Sequence, residues 1–199
     1  MTARQIAPAA ARNRDPILAL LRGLLPREGV VLEIASGTGE HVVHFAKNLP
    51  GLTFQPSDPD AAARASIAAW IAEEGLANVA PPLALDAAAP DWPIEHSDAL
   101  LCINMIHISP WEATTGLFAG ARKILPAGAP LYLYGAYKRE GAQTAPSNIA
   151  FDGWLRAQNP AFGVRDLEAV AQVAAENGFG PPDIVEMPAN NLSLILRRI

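Results

Sequence analysis

Val30-Val31-Leu32-Glu33-Ile34-Ala35-Ser36-Gly37-Thr38-Gly39 is the stretch on which the fold turns. Its first five residues form a short, nearly continuous run of β-branched and aliphatic side chains, the pattern of a strand buried on both faces. Gly37 and Gly39 then allow a sharp reversal of the chain and a close approach of backbone to ligand. Beyond them Val42, Phe45, Ala46 and Leu49 recur at helical spacing, so the unit reads as strand, tight loop and helix, with unpaired N–H groups at the helix start.

The same alternation continues in both directions. Upstream, Asp15-Pro16 has the form of an N-cap followed by the first helical position, and Ile17, Leu18, Leu21, Leu24 and Leu25 make one apolar face. Downstream, Leu52–Gln55 is a second strand, and an Ala-rich helix with Ile67, Trp70 and Ile71 runs to Gly75. Leu83–Leu85 reads as a third strand ending at Asp86, and Ala99–Ile103 as a fourth, stopping at Asn104. Ser109-Pro110-Trp111-Glu112 has the spacing of a capping box, ahead of a helix carrying Leu117, Phe118, Ala121 and Leu125. Leu131–Tyr134 is a fifth strand. The pattern then weakens from Gly135 to Arg165, with a helix around Asn148–Ala157. Asp166 caps a helix holding Leu167, Val170, Val173 and Ala174, which Gly178 ends.

Two strands close the chain, Ile184–Met187 and Leu192–Arg197, separated by Pro188-Ala189-Asn190-Asn191. So short a connection makes the last strand antiparallel to its neighbour. The expected architecture is therefore α/β and Rossmann-like: one domain over residues 1–199, with a seven-stranded, mostly parallel sheet, the last strand reversed, and helices on both faces.

Composition narrows the function classes. The chain has 199 residues, half of them apolar, which suits one good-sized core. A net charge of −5, with 15 basic residues mostly scattered, supplies no stripe to neutralise a phosphate backbone, so no nucleic-acid partner is expected. The single cysteine, Cys102, lies in an apolar run and reads as a core residue in a reducing compartment. With no run of about 18 apolar residues and no signal-like amino terminus, no membrane association and a cytoplasmic location are expected.

In an open α/β sheet, ligands lie beyond the carboxyl ends of the strands, where the strand order reverses. A dinucleotide loop wants a third small residue after Gly-x-Gly, yet here the series runs Gly37-Thr38-Gly39-Glu40-His41-Val42. Glu33, at the strand end, is unwelcome beside a pyrophosphate and suits a cationic ligand. A nicotinamide-dependent oxidoreductase is thereby disfavoured, though residue types alone leave it open.

Leu32-Glu33-Ile34-Ala35-Ser36-Gly37-Thr38-Gly39-Glu40-His41 resembles the first motif of class I S-adenosylmethionine-dependent methyltransferases. More closely, the chain is similar to the methyltransferase-like protein 26 family. That likeness extends through residues 55–58, Asn104–Trp111, Ser147–Asp152 and Met187–Leu192, nearly the whole chain. The resemblance implies S-adenosylmethionine as cofactor and a small-molecule acceptor. It places Glu33 near the methionine end of the cofactor, with Ala35, Ser36, Gly37, Thr38 and Gly39 giving backbone approach. Asp58 would accept hydrogen bonds from the ribose hydroxyls, Asp86 would take the adenine amino group, and Asn104, Met105 and Ile106 would line the site.

Each assignment has a plainer alternative: Asp58 and Asp86 as turn or cap aspartates, the glycines as turn residues, Glu33 as a strand-end charge. His107 is the candidate general base, with Tyr137 and Lys138 behind it. His41 and His44 stand three apart on one helix without cysteine or HExxH partners, so no metal site is expected. Residues 1–14 and 135–165 are left over by the sheet and its helices and are expected to form a substrate lid. A protein that binds the cofactor without catalysis fits the same residues.

Overall fold

The computed structural model describes residues 3–199, so the first two residues of the expected amino-terminal lid lie outside it. In chain order the elements are α1 (Pro8–Leu24), β1 (Gly29–Ile34), α2 (Glu40–Asn48), β2 (Leu52–Pro56), α3 (Ala61–Glu74), β3 (Ala99–Ile103) and α4 (Trp111–Ile124). There follow β4 (Pro130–Gly135), β5 (Tyr137–Arg139), β6 (Ala142–Gln143), α5 (Pro146–Gln158), β7 (Arg165–Asp166), α6 (Leu167–Glu176), β8 (Asp183–Met187) and β9 (Asn191–Arg197).

The main sheet has the order β2-β1-β3-β4-β9-β8. β1 to β4 are mutually parallel, and β9 runs antiparallel to both β4 and β8. Side chains alternate across it. Leu32, Ile34, Leu100, Cys102, Leu131 and Leu133 join α4 and α6 on one face. Val31, Ala99, Leu101, Ile103, Tyr132 and Tyr134 meet α1, α2 and α3 on the other. Burial on both faces accounts for the unbroken apolar runs of the central strands.

The sheet has six strands where seven were expected, and the reason is chemical. Residues 78–83 do run beside β2: Phe54 N–H donates to Asn78 O, Ala80 N–H to Phe54 O and Leu83 N–H to Pro56 O, at 2.8, 2.8 and 3.0 Å. Pro81 and Pro82 have no N–H to give, so the ladder breaks into isolated bridges at Val79 and Leu83. The segment still delivers Leu85, Asp86 and Ala87 to the carboxyl edge of the sheet.

Two helix starts also differ from expectation. α1 begins at Pro8, not Asp15, and carries Pro16 in its interior. Pro8 meets the first-position rule as well as Pro16 does, and Ala9-Ala10-Ala11 is strongly helix-forming. Burial of Ala10, Ile17, Leu18 and Leu21 on one face offsets the bond lost at Pro16. α4 has Pro110 at its N-cap with no side-chain cap, because Ser109 Oγ instead donates to Met105 O at 2.7 Å.

The weakly patterned stretch after Gly135 is ordered. β5 and β6 form a hairpin across Glu140-Gly141, both at positive φ, and α5 packs Leu155 with Ala136 and Val164 in a small core of its own. Asp166 caps α6 through Glu168 N–H, as its sequence position predicts. Among the described residues no helix is long and apolar enough to cross a membrane.

Gly116 of α4 faces the segment that carries Asp86, and a Cβ there would overlap the Ala87 carbonyl oxygen and stand 2.8 Å from Ala88 Cα. Gly116→Ala should therefore cost about 1–3 kcal/mol despite alanine's better helix propensity. A urea midpoint equal to wild type would show that residues 86–88 yield without strain.

Candidate cofactor site

The strand order reverses between β1 and β3, and at their carboxyl ends lies a cavity of about 480 Å³. Its walls come from five places in the chain: Ile34–Thr38 after β1, Asp58 and Pro59 after β2, Leu85–Ala87, Ile103–Met105 with Ile108, Ser109 and Ala113 after β3, and Ala7, Ala9 and Ala10 at the start of α1. His41 of α2 completes it.

The loop after β1 turns through three left-handed residues, Ala35 (φ 54), Gly37 (φ 56) and Gly39 (φ 93). Alanine is uncommon in that region, and Ala35 is held there by its neighbours. Ser36 N–H donates to Ser57 O at 2.8 Å, and Ser57 Oγ donates to Glu33 O at 2.8 Å. Ser36 Oγ both donates to Glu33 O and accepts from Ser57 N–H. These bonds tie the diverging ends of β1 and β2 together.

The two glycines have different work. A Cβ on Gly37 would meet nothing within 4 Å, so its backbone is open to the cavity. A Cβ on Gly39 would stand 2.9 Å from Ile67 Cα, and Gly39 is not on the wall. Its lack of a side chain serves the packing of the loop on α3, which corrects its expected place in ligand approach. Val42, where a dinucleotide loop wants a small residue, is fully buried.

Asp58 is on the wall, with Oδ2 accepting from Gly37 N–H at 3.0 Å and Oδ1 from Asp60 N–H at 2.9 Å. Arg64 braces its main chain by donating to the Asp58 and Pro59 carbonyls at 2.8 Å. Asp86 stands exposed at the rim, its Oδ1 accepting from Ala88 N–H at 2.9 Å. Asn104, left-handed at φ 62, turns the chain after β3 and with Met105 forms wall. Ile106 is instead buried in the core beneath α4, so it does not line the site as expected.

Glu33 is 1% exposed and, unlike Ile34–Thr38 which follow it, is not on the cavity wall; its Oε2 has no hydrogen-bond partner. Burial pushes its pKa up to about 8; Ser36 opposes the shift and Asp58 adds to it. The carboxyl is thus largely protonated at neutral pH, and a cation near it would convert it to the charged form.

His107 is not on the wall. It is fully buried behind Gly135, where a Cβ would overlap its ring, and stacks edge-on to Tyr137 at 5.0 Å. Neither ring nitrogen has a partner, and burial takes its pKa down to about 3. Tyr137 is in the core, and Lys138 pairs with Asp152 at 3.6 Å. The three candidate bases are thus all off the cavity. His41 is on it, pulled down to about 4 by burial, His44 and Arg14, with Nε2 2.7 Å from Asn13 Oδ1. His44 pairs with Asp15 at 2.8 Å, and among the described residues no three metal-binding side chains gather.

No residue of 135–165 reaches the cavity wall. That segment works one step behind: Gly163 N–H donates to His107 O, and the Arg165 side chain donates to Ile106 O and Ser109 O, at 3.0, 2.9 and 2.7 Å. Ala7, Ala9 and Ala10 lie in the segment expected as lid, whereas His41, read from sequence only as a possible metal ligand, reaches the wall from α2.

Two predictions follow the geometry of the loop. Gly39→Ala should lower the unfolding midpoint, since the contact is with backbone and φ is positive, whereas Gly37→Ala should retain more stability because its Cβ has room. Equal losses in chemical denaturation would contradict this division. For Glu33 the folded pKa lies above the unfolded one, so its stabilising contribution is present below the ordinary glutamate value of 4.5 and is lost as pH rises through about 8. Glu33→Gln escapes that loss. Its Tm advantage over wild type should widen between pH 5 and pH 8.5, at about 2–4 °C per kcal/mol for a domain of this size; a constant gap would mean the carboxyl is not so shifted.

Solved structures share this architecture. An O-methyltransferase family protein from Burkholderia thailandensis matches with a TM-score of 0.82 at 16% identity, over 96% of this chain and 57% of that one. A methyltransferase of calicheamicin biosynthesis, in its SAH-bound form, gives 0.76 at 16%, over 96% and 55%. Human N-acetylserotonin methyltransferase in complex with SAM gives 0.74 at 12%, over 96% and 52%. The chain thus spans little more than half the length of these proteins, and at such identities the likeness is one of fold: the class I methyltransferase fold. Residues 4–198 match the family described as protein of unknown function (DUF938), and the chain belongs to that family.

Proposed function

We propose that the protein is an S-adenosylmethionine-dependent methyltransferase acting on a small molecule. The observation that carries the reading is the buried Glu33 carboxyl, with one oxygen unpaired, on the strand end that leads into the loop whose Gly37 opens to the cavity. An orphaned buried acid is costly unless a partner arrives, and a cationic ligand is the partner that such a site fits. The same feature, with fully buried Val42, argues against a dinucleotide pyrophosphate. The fold likeness supports the reading, since two of the matching methyltransferases are described with SAM or SAH bound.

When bound, S-adenosylmethionine supplies a methyl group on a sulfonium, already activated for displacement. The chain's own residues would do the holding. Glu33 would balance positive charge, and Ala35, Ser36, Gly37 and Thr38 would present backbone. Asp58 has lone pairs left beyond its bonds to Gly37 and Asp60 and would accept from ribose hydroxyls. Asp86 would take the adenine edge, and Asn104 and Met105 would close the third side. Because the leaving group needs no activation, alignment is the main requirement, and no buried base is needed.

Among the described residues the walls contain no lysine or arginine, which suits an acceptor without phosphate and, with a net charge of −5, speaks against nucleic acid. In this reading the chain is one methyltransferase domain, working in the cytoplasm, whose amino-terminal segment covers the acceptor. The shared segments at residues 32–41, 55–58, 104–111, 147–152 and 187–192 ally it with the methyltransferase-like protein 26 family. Three of them gather around β4 and β9: Asn148 Nδ2 donates to Asn190 O at 3.1 Å, Asn190 Nδ2 donates to Ser147 Oγ at 3.0 Å, and Asn104 N–H donates to Tyr134 O at 2.8 Å.

Calorimetry with S-adenosylmethionine, S-adenosylhomocysteine and NAD tests the reading: the first two should bind saturably, and NAD binding in their place would overturn it. Asp58→Ala should weaken S-adenosylhomocysteine by about tenfold or more, the loss of hydrogen bonds to a charged acceptor. Asp58→Asn, which keeps an acceptor for Gly37 N–H, separates loop support from ligand contact. Unchanged affinity in both variants would remove Asp58 from the site.

A further inference from the structure

Outside the cavity, one junction binds two of its walls together. The backbone of residues 4–7 is held against α2 and α3 at successive steps. The Arg4 guanidinium lies 4.1 Å from the Trp70 ring centroid and pairs with Glu73. Gln5 N–H donates to Ser66 Oγ at 2.8 Å, and Gln5 O accepts from Trp70 Nε1 at 2.9 Å. Ala7 N–H donates to Glu40 Oε2. Directly after this strap, α1 begins, and Ala7, Ala9 and Ala10 form wall.

Two of these anchors have a second bond, and both second bonds go to Thr38. Ser66 Oγ donates to Thr38 O at 2.7 Å, and Glu40 Oε2 accepts from Thr38 Oγ1 at 3.2 Å. Ser66 and Glu40 are both buried and neither is a wall residue, while Thr38 is. The wall's glycine loop is therefore gripped, at one hydroxyl and one carbonyl, by the same two side chains that grip two strap amides. Each hydroxyl or carboxylate oxygen here is oriented by one partner for the other, so a shift of Thr38 is felt at Gln5 and Ala7.

We propose that Glu40 and Ser66 are positioning residues that couple the strap to the glycine loop, so that a ligand resting on Thr38 seats the strap, and the seated strap tightens the ligand. This rests on the methyltransferase reading for the identity of the ligand, not for the coupling. Reciprocity follows from linkage: whatever factor ligand binding contributes to strap closure, closure returns to affinity. A strap anchored for stability alone would be held equally well whatever Thr38 does.

The test pairs hydrogen exchange of the strap amides with calorimetry of S-adenosylhomocysteine, on the whole chain. In wild type the ligand should slow strap exchange about tenfold, within the usual range of coupling. Thr38→Val, whose lost hydroxyl bonds Glu40 and not the strap, should speed strap exchange and weaken the ligand several-fold. Glu40→Ala should do both more strongly, and Glu40→Gln, which keeps an accepting oxygen, should fall between. Strap exchange at the wild-type rate in Thr38→Val, or a freed strap with unaltered affinity in Glu40→Ala, overturns the coupling. Failure of wild type to bind S-adenosylhomocysteine would overturn the functional reading instead, and the exchange rate of Thr38→Val without ligand would still decide the coupling.

Discussion

Where parallel strands end together, their last main-chain groups lose their neighbours, and the molecule depends on how those groups are satisfied. At the ends of β1 and β2 the solution is a lattice of Ser36, Ser57 and Asp58, which pairs the Glu33 carbonyl with two hydroxyls and Gly37 N–H with a carboxylate. An unpaired buried amide or carbonyl is expensive, so these bonds set the path of the loop with little freedom. The lattice ties the ends of β1 and β2 together and so fixes the loop that walls the cavity beside the β1–β3 switch point.

Glu33 is the exception inside this satisfied network. Its main chain is paired twice, while its side chain keeps an unpaired buried oxygen and a pKa raised to about 8 by burial. A core without that acid would be more stable at neutral and alkaline pH. Retained strain of this kind, beside a left-handed alanine and an open glycine, is the usual mark of a site that trades stability for binding. Two histidines pull the other way: His41, half-buried, and His107, fully buried, with pKa values of about 4 and 3, withhold protons in the fold and cost stability as pH falls below 6.5.

Most of the strand and helix pattern was legible because the core is two-sided. Runs such as Val30–Ile34 and Ala99–Ile103 have to be apolar throughout when both faces are covered, and Asp166 has little else to do than cap a helix. The broken seventh strand was legible too in principle, since Pro81 and Pro82 withdraw two donors from the edge. What sequence could not reach was direction. Gly37 and Gly39 look alike in a string, yet one faces the cavity and the other faces Ile67. Met105, Ile106 and His107 are consecutive in a single 3₁₀ turn, and only Met105 meets the wall. Register within so short a turn depends on Arg165 and Gly163 from far along the chain.

The amino-terminal helix joins these threads. A cavity in a protein packed at ordinary density exists only where side chains are too small to fill it. Much of this wall is glycine and alanine: Gly37, Ala35 and Ala87 from the sheet side, Ala113 from α4, and Ala7, Ala9 and Ala10 at the start of α1. The alanines that give α1 its early start are thus the residues that keep it from occupying the space beneath it. Helix propensity and binding volume are served by the same small side chain, while Glu40 and Ser66 hold the helix entry at the distance where that volume remains open.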